Sequence, residues 1–187
     1  MTDSSHQLEI AGHTVTIRPM CHGDSEMEQE FVRRLSPEAK HYRFLGAVRE
    51  LSPRELRQFC GVDGHHSMAF VATVEEGGRQ RQVGVSRYAP NADGNAREIA
   101  ITVADDWQHR GLGTRLAKAL IQHAREHGVK KLYSVDLADN SLMRMLATDL
   151  GMRASMDPDD ARQVIYSLNL AALPVAAAGR SVVRMTR

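Results

Sequence analysis

The chain has 187 residues, 42% hydrophobic and 25% charged, which is enough for one domain with a sizeable core and too little for two ordinary ones. Its 24 lysines and arginines almost balance 23 aspartates and glutamates, so no basic field draws it to nucleic acid or to an anionic membrane, and partners must be recognised locally. Cys21 and Cys60 lie far apart without a Cys-x-x-Cys pair, which excludes a disulfide framework and a structural zinc site; with a polar N-terminus and no membrane-length apolar run, a cytoplasmic protein without bound metal is expected.

Leu8 to Arg18 alternates around Gly12 and His13 and predicts a strand or hairpin with Val15 and Ile17 on one face, ended by Pro19. Asp24 is in N-cap position for a helix with Met27, Phe31 and Leu35 on one stripe; Ser36-Pro37-Glu38 and Ser52-Pro53-Arg54-Glu55 signal two further short helices, the second stopped by Gly61. Met68 to Glu75 and Gln82 to Tyr88 are β-rich runs around Gly77-Gly78, a hairpin, and Asn95 to Asp105 supplies the next strand. From Leu112, the residues Leu116, Leu120 and Ala124 follow at helical spacing, with Arg115, Lys118, Gln122 and Arg125 opposite, and Gly128 closes this amphipathic helix. Leu132 to Leu137 reads as a strand, Asn140 or Ser141 caps a helix to about Leu150, and Val164 to Leu168 reads as a last strand. The domain is expected over residues 1–170. Residues 171–187 are expected to be a disordered tail, with an extra strand at Ser181 to Met185 as the alternative.

One motif carries chemistry. The strand Ile99 to Val103 runs into Gln108-His109-Arg110-Gly111-Leu112-Gly113, and a helix opens from the glycines. Side-chain-free glycines let an anion approach the backbone, and first-turn N–H groups have no intrahelical acceptor and sit at the positive end of the helix dipole. The dinucleotide fingerprint wants a third glycine where Leu116 stands, and a P-loop wants Gly-Lys-Ser/Thr, which is absent.

Gln108-x-x-Gly111-x-Gly113 resembles the coenzyme A loop of the GNAT superfamily of N-acetyltransferases. The resemblance implies an α/β fold whose central, mostly antiparallel sheet is flanked by helices and splayed at the strand carrying Glu98, with acetyl-CoA entering the opening. It implies that the backbone of Ile101, Thr102 and Val103 takes the pantetheine arm. Gln108, His109, Arg110, Gly111, Leu112, Gly113 and Thr114 would hold the pyrophosphate, with Arg110 adding charge. A second block, Asn140-Ser141-Leu142-Met143 through Leu146 to Leu150-Gly151-Met152, is also similar to the family and would turn Asn140 towards the pantetheine; an N-cap role for Asn140 explains the residue equally well. The family's tyrosine, proton donor to the departing thiolate, falls on Ala147. Either another group protonates the thiolate or coenzyme A leaves as the anion, which a thiol pKa near 8.5 tolerates.

Glu98 falls where many members of the superfamily place a general base; taken alone, a glutamate opening an apolar strand is an edge carboxylate. The chemistry needs a base, because a lysine-like amine with a pKa near 10.4 is neutral in about one molecule in 2,500 at pH 7. His65 and His66 read as a plain turn, with a fallback base as the alternative, His123 and His127 as solvated rather than metal ligands, Trp107 as packing, and Met143, Met145 and Met152 as core filler. Phe31, Leu35-Ser36-Pro37, Tyr42-Arg43-Phe44 and Glu50-Leu51-Ser52 resemble the GNAT module of bacterial protein-lysine acetyltransferases, a likeness that covers about Val15 to Leu168. It implies direct acetyl transfer to a protein lysine, docked against Phe31 to Leu51, by a monomer or homodimer. A small-molecule amine as acceptor, or a non-catalytic acyl-CoA sensor that dispenses with Glu98, are the alternatives.

Overall fold

The structure, a computed structural model, describes residues 5–45, 48–91, 94 and 96–171. Ala11 and Gly12, both with positive φ, turn the first hairpin between β1 (His6–Ile10) and β2 (His13–Pro19), which sets Val15 and Ile17 in the core and His13, Thr14 and Thr16 outward or half-way. Three short helices follow: α1 (Ser25–Arg34), α2 (Pro37–Phe44) and α3 (Pro53–Cys60). Ser36 and Ser52 cap α2 and α3 as their sequence predicts, through Oγ acceptors for Ala39 N–H and Glu55 N–H. Asp24 stands before α1 but does not cap it. Its carboxylate is taken instead by the Arg18 guanidinium, at 2.7 and 2.8 Å, and by Cys21 N–H, because a charged fork outcompetes a single backbone donor.

The hairpin β3 (Met68–Glu76) and β4 (Arg79–Pro90) turns on Gly77 and Gly78, both at positive φ, and is longer than its apolar stretch because its ends are solvated. Next come β5 (Arg97–Val103), α4 (Leu112–Glu126), β6 (Lys131–Leu137), α5 (Ser141–Asp149), β7 (Arg153–Met156) and β8 (Gln163–Asn169). β7 has no counterpart in the sequence reading: its four residues are all exposed, so no apolar alternation marks it, and only pairing with β8 makes it a strand. The expected tail 171–187, beyond Ala171, lies outside the described residues.

The eight strands form one sheet in the order β1-β2-β3-β4-β5-β6-β8-β7, antiparallel except where β5 meets β6. β5 pairs with β4 from Arg97 to Val103, yet it pairs with β6 only through Arg97–Leu132 and Glu98–Tyr133; beyond Glu98 the two strands part. α4 lies on the sheet with Leu112, Leu116 and Leu120 at most 1% exposed, each contributing about 1.5–3 kcal/mol of burial. Gly84 makes the approach possible, since a Cβ there would stand 2.8 Å from Leu116 Cδ1, and the buried Ser86 hydroxyl donates to Leu116 O at 3.1 Å.

A buried polar network locks α1 to the sheet. Glu28, 2% exposed, accepts from Arg87 Nη2 at 2.7 Å and Gln82 Nε2 at 2.6 Å, and the Arg87 guanidinium lies 4.2 Å from the Phe59 ring centroid. Removing one partner leaves a buried charge uncompensated. Glu28→Ala is therefore expected to cost about 3–5 kcal/mol in denaturant unfolding, far above what an exposed pair such as Arg34–Glu30 yields; a loss below 1 kcal/mol would show that Arg87 finds water.

Candidate active site

The parting of β5 and β6 opens a cleft of about 450 Å3, walled by β5 and β6, the end of α2, the first turn of α4 and α5. Of the residues expected at the catalytic and coenzyme site, all but Arg110 line it: Glu98, Ile101, Thr102 and Val103 from β5, Gln108, His109, Gly111, Leu112, Gly113 and Thr114 from the loop and helix start, and Asn140 before α5. Arg110 is exposed, with its guanidinium 5.1 Å from the Trp107 ring centroid.

At one end, the chain leaves β5 through a short turn at Asp105–Trp107, and His109 and Gly111 adopt left-handed backbone conformations, φ 58° and 77°. Gly111 is the N-cap of α4, and the first intrahelical bond runs from Arg115 N–H to Gly111 O, so the N–H groups of Leu112, Gly113 and Thr114 have no helical acceptor. A Cβ built on Gly111 meets nothing within 4 Å, and one on Gly113 meets only Val103 Cγ2 at 3.7 Å and Ile101 Cγ2 at 4.0 Å. The loop is thus an open concavity over free donors at a positive dipole end, suited to a pyrophosphate. Along β5, the edge beyond Glu98 has no strand partner on the β6 side, Gln108 Nε2 reaches Val103 O at 3.3 Å, and the buried Thr102 Oγ1 has no hydrogen-bond partner. An unpaired strand edge beside an orphaned hydroxyl fits an extended amide-bearing arm.

The other end carries charge. Glu98 is exposed, and Tyr133 O–H reaches its Oε2 at 3.5 Å. On β6, Asp136 accepts hydrogen bonds from Ser134 Oγ and from Asn140 Nδ2, the latter at 3.4 Å. Burial pushes the Asp136 carboxyl above its ordinary range, against those hydrogen bonds and the Arg43 charge, which favour ionisation. Asp136 was invisible to pattern reading, since one aspartate inside an apolar strand has no motif; position within Leu132 to Leu137 was the only available signal. Asn140 caps α5, its Oδ1 accepting from Met143 N–H at 3.1 Å, while its amide group turns to Asp136.

Other candidates fall elsewhere. His65 and His66 sit in a turn organised by Asp63, and His65 packs 5.5 Å from His127 at the far end of α4, about 20 Å along the helix from the loop; they do not line the cleft. His123 is not solvated: it is half-buried, its Nδ1 is 3.0 Å from Tyr88 Oη, and its ring stacks on His127 at 3.9 Å. Trp107 is buried and Met143 belongs to the core, whereas Met145 is 59% exposed at the cleft rim and is not filler. Ala147 is buried with Met143 and Tyr166 and does not line the cleft. Among the described residues no cluster of histidine, cysteine and carboxylate side chains suits a metal ion.

An acetyltransferase (GNAT) family model matches residues 30–152. The chain belongs to the GNAT acetyltransferase family. It is 47% identical over 159 residues to acetyltransferase PA5475 of Pseudomonas aeruginosa, covering 85% of this chain and 86% of that protein. It is 31% identical over 141 residues to acetyltransferase Pat of Mycolicibacterium smegmatis, covering 75% of this chain and 41% of that longer protein. The fold is shared with the GNAT domain of S. lividans PAT, at a TM-score of 0.80 and 24% identity over 89% of this chain and 97% of that domain. The eight-stranded sheet with flanking helices is the GNAT fold, the protein is an acyltransferase, and proteins of this fold use acetyl-CoA as co-substrate with an amine as acceptor. No helix among the described residues is long and apolar enough to cross a membrane.

The raised Asp136 pKa has a signed consequence. A carboxyl that ionises less readily when folded gives stability present at low pH and lost as pH rises through its folded pKa, beginning above the ordinary value of 3.8. Asp136→Asn is expected to be more stable than wild type at pH 7 and to lose that advantage by pH 3.5; melting temperatures across this range, with a difference that stays constant, would refute it.

Proposed function

We propose that this chain transfers the acetyl group of acetyl-CoA directly to the ε-amine of a protein lysine, with Glu98 as general base. The single observation that carries the reading is the continuity of the cleft: the free N–H groups of Leu112, Gly113 and Thr114, the unpaired edge at Ile101, Thr102 and Val103, and Glu98 all face one space. Pyrophosphate held by the loop, with Gln108 and His109 beside it, and pantetheine along β5 would bring the thioester towards Glu98. The amine nitrogen attacks the thioester carbonyl, the C–N bond forms, the C–S bond breaks, and the amine proton passes to Glu98 directly or through water. Coenzyme A leaves as a thiolate, consistent with an alanine at position 147. Among the described residues no cysteine lines the cleft, and its one serine, Ser134, gives its hydroxyl to Asp136; direct attack by the amine asks nothing of that pair and is the simpler path.

A protein acceptor is favoured by the rim. Leu45 and Met145, 46% and 59% exposed, are two of the three large exposed hydrophobic residues among the described ones, and both border this cleft, from α2 and α5. Apolar side chains held in water at a cleft mouth suit a macromolecular surface better than a small amine. The likeness of Phe31 to Leu51 to protein-lysine acetyltransferases points the same way. We place the catalytic unit at residues 1–170, acting as a monomer or homodimer, and the free cysteines Cys21 and Cys60 fit a reducing cytoplasm.

Gly113→Glu should abolish acetyl-CoA binding in calorimetry, because charge and bulk enter the pyrophosphate seat at a position with ordinary backbone angles and ordinary Cβ contacts; unaltered affinity would sink the loop assignment. Glu98→Gln should keep binding while lowering turnover by about 10²- to 10⁴-fold near neutral pH, with the loss shrinking as pH rises and the amine deprotonates unaided. Rates equal to wild type from pH 7 to 9 would return Glu98 to an edge carboxylate.

A further inference from the structure

One charged side chain at the reacting end has no task in this chemistry. Arg43, in the last turn of α2, lines the cleft with Glu98 and stands two residues from the rim residue Leu45. Its guanidinium rests on aromatic carbon, 5.0 Å from the Phe44 ring centroid and 5.4 Å from that of Phe59. The carboxylates that act on it electrostatically are Glu28, Glu98 and Asp136. Glu28 is bonded to Arg87 and Gln82, Asp136 to Ser134 and Asn140, and Glu98 is approached by Tyr133; none forms an ion pair with Arg43. Among the described residues the Arg43 guanidinium has no hydrogen-bond partner, in contrast to Arg87, which shares the Phe59 ring and is bonded to Glu28 and to Phe59 O.

The Arg43 guanidinium is half-buried in the cleft wall, open to the cleft and without a protein acceptor among the described residues, and its planar geometry matches a carboxylate in two parallel hydrogen bonds. Burial and the neighbouring Arg87 charge lower its pKa to about 10, so it stays protonated at neutral pH. The anion it awaits is not the pyrophosphate, whose seat is at the start of α4, and the acetyl thioester is neutral. The remaining source is the acceptor, which must cross α2 and Leu45 to reach Glu98. A cationic lysine entering beside Arg43 is repelled unless it brings a negative charge with it.

We propose that Arg43 reads a carboxylate on the acceptor, so that the preferred target is a lysine with an aspartate or glutamate beside it. This rests on the lysine-acetyltransferase reading and specifies which lysines the same site takes. The test uses two single-lysine peptides of equal length, the lysine flanked by glutamate in one and by glutamine in the other, with wild type, Arg43→Gln and Arg43→Lys. Wild type should use the glutamate peptide with kcat/KM on the order of ten- to a hundred-fold higher, chiefly through KM. Arg43→Gln should lose this preference at unaltered acetyl-CoA affinity, and Arg43→Lys, a point charge without the fork, should keep part of it. Equal use of the two peptides by wild type, or a preference that survives in Arg43→Gln, overturns the inference, and the wild-type comparison stands even if a variant fails to fold. A requirement for Arg43 seen only when succinyl-CoA replaces acetyl-CoA also overturns it, by placing the anion on the acyl group. Acetylation of neither peptide, beside ready acetylation of a small amine, is a distinct failure and overturns the lysine reading itself.

Discussion

β5 is paired with β4 along its whole length and with β6 at Arg97 and Glu98 alone, and the architecture of the cleft follows from that half-pairing. A strand edge left open inside a sheet exposes backbone donors and acceptors that cost about 1–3 kcal/mol each when buried without partners. In most proteins such an edge is closed or charged to prevent pairing with another chain. Here it is flanked by α2 on one side and α5 on the other and remains in contact with solvent through the cleft. The fold therefore keeps an unsatisfied edge in a protected place, which is the condition for binding an extended ligand by its backbone-like amides.

Keeping that edge open requires both strands to be held by their other neighbours. β6 is fixed by seven residue pairs to β8, and β5 by seven to β4, so neither needs the missing contacts for its own stability. β4 is in turn tied to α4 by the close approach at Gly84 and the Ser86 hydroxyl, and to α1 through Arg87 and Glu28. α2 is drawn to the same frame by Asp105, which accepts from Ser36 N–H at 2.9 Å and Ser36 Oγ at 2.6 Å. Since Asp105 opens the turn leading to Gly111, the wall bearing Tyr42 and Arg43 and the anion seat share one anchor. A loss of that anchor would disturb both ends of the cleft together.

Much of this was legible in the residues, for identifiable reasons. The hairpins, α4 and the capped short helices follow from alternation, 3.6-residue spacing and Ser-Pro starts, all of which act within a few residues. The splay was anticipated by resemblance, and the register that ends after Glu98–Tyr133 is a property of two distant strands that no local pattern encodes. Asp24 looked like a cap because its competitor, Arg18, lies in another element. β7 escaped because its exposed side chains obey no periodicity. In the cleft, glycine and strand positions were readable, while Asp136, the rim position of Met145 and the unmet guanidinium of Arg43 depend on what packs around them.

The cleft is electrically graded, and the grading bears on how the two ends can cooperate. The start of α4 presents roughly half a positive charge and unpaired N–H groups, with Ile101 and Val103 next along the wall and the charged side chains Glu98, Asp136 and Arg43 beyond them. An anion is attracted to the first end, while at the other the Arg43 charge offsets the nearby carboxylates, so a coenzyme with a pyrophosphate head and a neutral thioester tail would have one favourable orientation. At the far end, burial raises the pKa of Asp136, so ionising it there, with Glu98 nearby, is harder than in water. Arg43 opposes the entry of an ammonium ion and favours the neutral amine that attack requires, so the charge that selects the acceptor also assists its deprotonation. Selection and activation are thereby linked in one electrostatic arrangement, held in place by α2.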